Sequence, residues 1–316
     1  MLDVVGNHMG NTFDDFSHFY PFNSSSHYHR YCLIRNYNNQ REVEYCRIGD
    51  ERSSLADLDT ENPFVIQELQ RWLRWVVDEF DFDGIRIDTV KHVPRPFWSK
   101  FTQGAPGVFS IGEVLHGDPA YVGEYQNNMD SMLNFPLYFT IRDVFQNKAS
   151  MWQFEVRYEQ NRQYFRDASV LGNFVDNHDF KRFLNEQRDD AQLRNALTYI
   201  MLAEGIPVVY YGTELHFDGG DDPRNRESFW PDVFRRDRPR TFSLLKKLNG
   251  LRKHAGEELY RGQQRHLWTQ DDVHVFMRGQ AIVVVTNVGK YSSLERTIRI
   301  PVKKSMLIWF FDYLKC

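Results

Sequence analysis

Gly84-Ile85-Arg86-Ile87-Asp88-Thr89-Val90-Lys91-His92 decides how this chain is read. Ile85 and Ile87 form a β-branched run of the kind that favours a buried strand, and the run stops at Asp88. Side chains two apart on a strand share a face, so Arg86 and Asp88 stand side by side. In parallel α/β barrels the reactive groups sit at the carboxyl ends of the strands. Asp88 therefore reads as a reactive carboxylate held by a rigid strand, and Pro94 begins a turn away from it. The plainer reading makes Asp88 a cap for the next helix, and spacing alone does not choose between the two.

Outward from this strand the pattern alternates. On the amino side Asn62 suits a helix cap and Pro63 the first helical position, while Val65, Leu69, Trp72, Val76 and Phe80 recur at helical spacing. On the carboxyl side a short helix over 95–103 leads to the strand Val108-Phe109-Ser110-Ile111, which ends at Gly112-Glu113. Further strands are expected near 131–137, over Val170–Val175 ending at Asp176-Asn177-His178-Asp179, and over Ile206–Tyr211. Helical patterns fall at 140–147, 151–166 and 190–204, the last stopped by Gly205. This alternation predicts an α/β protein with a parallel sheet built from right-handed crossovers.

Residues 1–6 read as one more buried strand, running into Asn7-His8-Met9-Gly10. From 11 to 58 periodicity disappears, and irregular excursions of that length are usually functional. Past about 260, Val273–Met277 and Ala281–Val285 read as strands with no helix between them, a small antiparallel β domain.

A chain of 316 residues with net charge −4 has no broad basic surface for nucleic acid or membranes, and neither is expected as a partner. No apolar run reaches the ~18 residues of a membrane helix. No signal peptide opens the chain; Met1-Leu2-Asp3-Val4-Val5 begins inside a strand, so we expect a natural amino-terminal segment upstream. Of three cysteines, Cys32 and Cys46 close a short loop that a disulfide would stabilise by roughly 3 kcal/mol, the alternative being two free thiols. Cys316 is either free or paired with a residue past a truncated carboxyl end. Asn23-Ser24-Ser25 is a glycosylation sequon consistent with secretion. The sequence holds no P-loop, no zinc-ligand spacing and no nucleophile-elbow serine.

Three acids occupy comparable places, since Asp88, Glu113 and Asp179 each follow a hydrophobic strand. Glycoside hydrolysis needs two carboxylates about one bond, one as nucleophile and one as proton donor, and a third can stabilise the cationic transition state. His8 and His178, neutral at pH 7, suit sugar hydroxyls.

Asp3-Val4-Val5-Gly6-Asn7-His8, Gly84–His92, Gly112-Glu113-Val114 and Phe174–Asp179 resemble, in order, the four short signatures of the α-amylase family. Ser54-Leu55-Ala56-Asp57-Leu58-Asp59-Thr60 and Gly219–Glu227 resemble further segments of the fungal secreted members. The resemblance implies a (β/α)8 TIM barrel over 1–8 and 59–258, an inserted calcium-binding loop domain over 9–58, and a truncated carboxyl-terminal β-sandwich over 259–316. It implies an extracellular, monomeric enzyme cleaving α-1,4-glucans such as starch, with Asp88 as nucleophile, Glu113 as acid/base and Asp179 as stabiliser. His8, Arg86 and His178 would hold the sugar or orient Asp88, with Lys91 and His92 on the leaving-group side and Asp222 and Arg226 on the other. Asn7 and Asp57 match the side-chain ligands of a Ca2+ ion, and Glu44 and His92 match its backbone-carbonyl ligands, all hard oxygen donors.

Departures accompany the likeness. Family barrels have eight strands with the Asp3–His8 signature on the third, so the first two are expected to be missing here. His116 stands where the nearest family members usually carry an aspartate. Competing readings are an enzyme for another α-glucosidic linkage, a transglycosylase, and an inactive, truncated copy that at most binds glucan.

Overall fold

The computed structural model describes residues 1–11, 14–234 and 237–299. The chain divides into two units, Met1–Leu133 and Asn134–Cys316. The expectation for Cys316 lies outside the described residues.

In the first unit the elements run β1 (Leu2–Val4), β2 (His8–Met9), α1 (Gln40–Tyr45), β3 (Ala56–Asp57), α2 (Pro63–Phe80), β4 (Gly84–Ile87), α3 (Arg95–Thr102), β5 (Phe109–Gly112), α4 (Pro119–Gly123) and β6 (Ser131–Met132). One sheet has the order β1-β4-β5-β6, and its pairings are parallel. Val4 lies opposite Ile87, and Ile87 opposite Gly112, as the last full row. Asp88 and Glu113 are the next residues of their strands, so both leave the sheet at the same carboxyl edge. That register is pinned by Asp88 N–H to Val4 O (2.9 Å) and Glu113 N–H to Ile87 O (2.9 Å).

Helix α2 is started as its sequence predicts, by the Asn62 side chain accepting from Phe64 N at 3.0 Å and by Pro63 at its first position. Its buried face is Val65, Leu69, Leu73, Val76 and Val77, whereas Trp72 and Phe80 are 37% and 58% exposed. Trp72 flanks that stripe and Phe80 ends the helix beyond the core, so spacing alone overstated both.

The excursion after β2 has its own order. Cys32 and Cys46 form a disulfide, with Cα atoms 4.9 Å apart, and pack with Ile34 and Val43 in a small core. Arg47, 3% exposed, pairs with Asp14 at 2.5 Å and stacks over Tyr31. Helix α1, capped by Asn39, spans under two turns, too short to show a helical period in the sequence. An antiparallel β2–β3 ladder sets His8 opposite Asp57.

The second unit contains α5 (Phe135–Phe145), α6 (Trp152–Tyr164), β7 (Gly172–Asn173), α7 (Phe183–Glu186), α8 (Asp190–Leu202), β8 (Ile206–Pro207), α9 (Trp230–Val233), α10 (Arg240–Tyr260), β9 (Gln264–Thr269), β10 (Val273–Arg278) and β11 (Ala281–Thr286). The expected strands shorten here. Near 131–137 only Ser131–Met132 is strand, because Asn134 caps α5 and Pro136 sits in its first turn. Val170 falls in a 3-10 turn begun by Asp167, leaving Gly172–Asn173 as the strand. Pro207 has no N–H to extend β8, and Val208 N–H to Asn173 O (2.8 Å) follows it.

Strands β7 and β8 pair in parallel, and Gly205 enters β8 with φ 120°. A Cβ there would collide with the Asn173 side chain and Leu171 O, so glycine is required twice over. The antiparallel sheet, order β11-β10-β9, contributes Phe276, Val283 and Val285 to the same core as Ile141, Phe154 and Leu197. No helix among the described residues is long and apolar enough to cross a membrane.

Candidate active site

Arg86 is the hub of the first unit's site. Its Nη1 donates to Asp88 Oδ1 at 2.6 Å and to Asp3 Oδ1 at 2.8 Å, and its Nη2 lies 3.3 Å from Glu113 Oε2. Arg86 side chain is 14% exposed, and Asp88 and Glu113 are 24% and 12% exposed. Burial opposes the guanidinium charge, but Glu113, Asp3 and Asp88 together outweigh it and raise the Arg86 pKa. The two acids expected from their strand ends are therefore held by one planar cation.

Between them in the chain stands Thr89, in the left-handed region at φ 51°, ψ 35°. A β-branched residue resists that conformation, which costs about 1–3 kcal/mol. The turn aims the Thr89 N–H at Glu113 Oε2 (3.2 Å), while Val90 N–H meets Glu113 O (3.0 Å). Sequence reading missed this strain; Thr after a strand-end acid carries no signal for a positive φ.

His8 is held neutral by burial, which outweighs the opposing pull of Asp88, and its Nδ1 is buried with no hydrogen-bond partner. Lys91 Nζ donates to Leu115 O at 3.1 Å and lies 5.3 Å over the Tyr37 ring; burial lowers its pKa against Glu113. His92 is buried, with Nδ1 3.1 Å from Val43 O, and burial pushes its pKa down to about 4. His116 packs on Tyr121 and accepts at Nδ1 from Asp118 N (3.1 Å).

The residues that the resemblance assigns to a cation gather on the inserted excursion. Asn7 and Asp57 are 1% and 2% exposed, tied by Leu58 N–H to Asn7 O (2.9 Å). Burial pushes the Asp57 carboxyl up to about 6 even though His29 Nδ1 sits 2.7 Å away. Glu44 and His92 are brought close by the packing of α1 on the turn at Val90–His92, through the His92–Val43 bond. A buried carboxylate beside an amide and two carbonyl-bearing turns is an oxygen-rich set of the kind that fits Ca2+.

In the second unit, His178 Nε2 lies 3.4 Å from Asp179 Oδ1, and the pair is 37% and 39% exposed. Asn177 Oδ1 accepts from Asp179 N (3.0 Å) and Phe180 N (3.1 Å), fixing the turn. Asp179 borders a cleft of about 690 Å3 with Phe180, Lys181, Arg142 and Asp221. Asp222 and Arg226 bond each other at 2.6 Å in an exposed loop, 56% and 49% exposed.

Residues the sequence reading passed over brace that turn. Arg182, fully buried, donates to Asn225 O (2.9 Å), Glu227 (3.1 Å) and Tyr211 O (2.6 Å), and stacks 3.9 Å over Tyr210. Asn225 Nδ2 donates to His178 O (2.7 Å) and Phe180 O (2.9 Å). Asp176, also buried, accepts from Thr213 Oγ1 (2.8 Å) and Phe183 N (3.2 Å). A charged residue three past a motif acid was the available signal for Arg182.

Parallel strands with acids at their carboxyl ends are the arrangement of (β/α)8-barrel proteins. Solved structures agree: an α-amylase from Malbranchea cinnamomea superposes with TM-score 0.87 at 37% identity, covering 92% of this chain and 63% of that one. An α-amylase from Geobacillus thermoleovorans, solved with acarbose, gives 0.77 at 32% identity over 88% of this chain and 62% of that one. α-Amylase 1 of Schwanniomyces occidentalis is 37% identical over 94% of this chain and 60% of its own length. The family described as "Alpha amylase, catalytic domain" matches residues 1–243. The chain belongs to the α-amylase family, with a (β/α)8-barrel fold class and an antiparallel carboxyl-terminal sheet. It spans 60% of the length of that curated relative.

Proposed function

We propose that this chain carries the catalytic centre of a retaining α-glycosidase that cleaves internal α-1,4 bonds of starch-like glucans, an α-amylase activity. The observation that carries the reading is the Arg86 guanidinium shared by Asp88 and Glu113 at neighbouring strand ends. Asp88 attacks the anomeric carbon while Glu113 gives its proton to the glycosidic oxygen, so the C–O bond breaks and the leaving sugar departs as an alcohol. Glu113 then takes a proton from water, whose oxygen attacks the same carbon and releases Asp88.

Because Glu113 Oε2 faces both Arg86 Nη2 and the Thr89 N–H, its Oε1 is the atom that delivers the proton. Arg86 fixes the orientation of the Asp88 carboxylate. Neutral His8 accepts or donates a hydroxyl hydrogen bond through its unpaired Nδ1. By family resemblance Asp179 stabilises the cationic transition state and His178 binds a hydroxyl. Lys91 and His92 serve the leaving-group side, and Asp222 and Arg226 serve the other once their mutual bond opens. Asn7 and Asp57, with the carbonyls of Glu44 and His92, would hold Ca2+, which supplies order to the excursion. The sequon and the disulfide support an extracellular setting.

Product analysis on maltooligosaccharides tests the reading. New reducing ends should appear first as the α-anomer from internal cleavage, and Asp88→Asn should lower kcat by at least about 10⁴-fold. Release of the β-anomer, transfer products in place of hydrolysis, or an active Asp88→Asn protein would overturn it.

A further inference from the structure

Glu155 on α6, His266 on β9 and His274 on β10 form a cluster that the glycosidase reading does not use. We propose that they bind a zinc-like divalent transition-metal ion, fastening α6 to the carboxyl-terminal sheet.

One ligand atom from each, a carboxylate oxygen and two ring nitrogens, all lie within 4.8 Å of one another. His274 is fully buried and its Nε2 has no hydrogen-bond partner; Glu155 Oε2 is buried and likewise unpartnered. Two orphaned polar atoms in three neighbouring residues are a cost that a folded chain rarely carries without a partner. The His274 ring sits among Phe154, Tyr199 and Phe276, with centroids 5.9, 6.2 and 5.4 Å away.

Thr269 Oγ1 lies 2.8 Å from His274 Nδ1 and 2.9 Å from His266 Nε2. A hydroxyl oxygen bonded to both rings fixes their orientation, as the outer partners of metal-bound histidines do. Two imidazoles and one carboxylate suit zinc, cobalt or nickel rather than calcium, which prefers oxygen. Tetrahedral zinc sets its ligand atoms about 3.3 Å apart, and the closing movement falls to His266, which is exposed, and Glu155, which is partly so. Sequence spacing could not reveal such a site, since its ligands come from three elements and span 119 positions from Glu155 to His274.

The test is titration of the full chain with ZnCl2 by calorimetry, after metal stripping and with excess Ca2+ present to fill oxygen-donor sites. Cobalt is substituted in parallel and its visible absorption followed. We expect one equivalent of zinc, ligand-field bands with cobalt, and binding weakened at least about 10-fold in both His266→Ala and Glu155→Gln. Both changes lie at positions that are not fully buried, and circular dichroism checks that each variant is folded. Absence of zinc binding by the parent, or unaltered binding in the two folded variants, would overturn the proposal. This outcome is independent of starch cleavage.

Discussion

Arg86 is where charge, geometry and chemistry meet. A lysine there keeps the charge but offers no planar fork able to reach Asp88 and Glu113 through separate nitrogens. Arg86→Lys should therefore lower kcat/KM about 100-fold on maltooligosaccharides while leaving the melting temperature within a few degrees. An unchanged kcat/KM would remove the shared arginine from the account. Tyr138 gives a second test. Its ring is 1% exposed and stacks on Phe174, and burial pushes the phenol up to about 12 against the pull of Arg142. An unfolded tyrosine ionises near 10, so between pH 10 and 12 the unfolded chain releases a proton that the folded chain retains. Stability must fall as pH rises through that window, by about 1.4 kcal/mol at pH 11 from this group. Denaturant midpoints should show a shallower alkaline decline in Tyr138→Phe; parallel declines would contradict the assignment. Asp88 and Glu113 were legible because a strand that stops at an acid places it at a sheet edge. Thr89's positive φ and Arg182's burial were not, because each depends on what lies across space.

Among the elements, the two-residue β2–β3 ladder and α1 connect the irregular excursion to the catalytic strands. Asp57 and Asn7, both buried and tied by the Leu58 N–H to Asn7 O bond, supply the oxygen donors that are the physical case for a cation there. Removing Ca2+ with EDTA should lower the unfolding free energy by about 2.7 kcal/mol relative to protein at a hundred times Kd. Cleavage by protease should then begin within residues 14–58, and Asp57→Asn should lose the calcium response. Identical melting with and without EDTA would contradict the calcium assignment. The long elements were readable: α2 from its cap and stripe, and the presence of α8, although it ends at Leu202 with an extended Ala203 rather than at Gly205. Shorter ones were not. Val170 and Val208–Tyr211 have strand-like composition, yet Asp167's turn and Pro207's missing N–H confine β7 and β8 to two residues each.

For the chain taken entire, the family fold and the order of the acids were readable because the fold repeats one unit, strand then acid then helix. The sharing of one core by the helices of the second unit and the antiparallel sheet was not, since Phe276 and Val285 look alike whether they face a helix or another sheet. The proposed chemistry rests on Asp88 forming a bond to sugar while Glu113 moves the proton. The most direct measurement incubates Glu113→Gln protein with an α-maltosyl fluoride carrying a second fluorine on the reacting ring, then maps the adduct by peptide mass spectrometry. The account predicts one glycosyl group on Asp88, since fluoride leaves without acid help and the missing base strands the intermediate. An adduct on another side chain, or turnover with no adduct and inverted product, would contradict it.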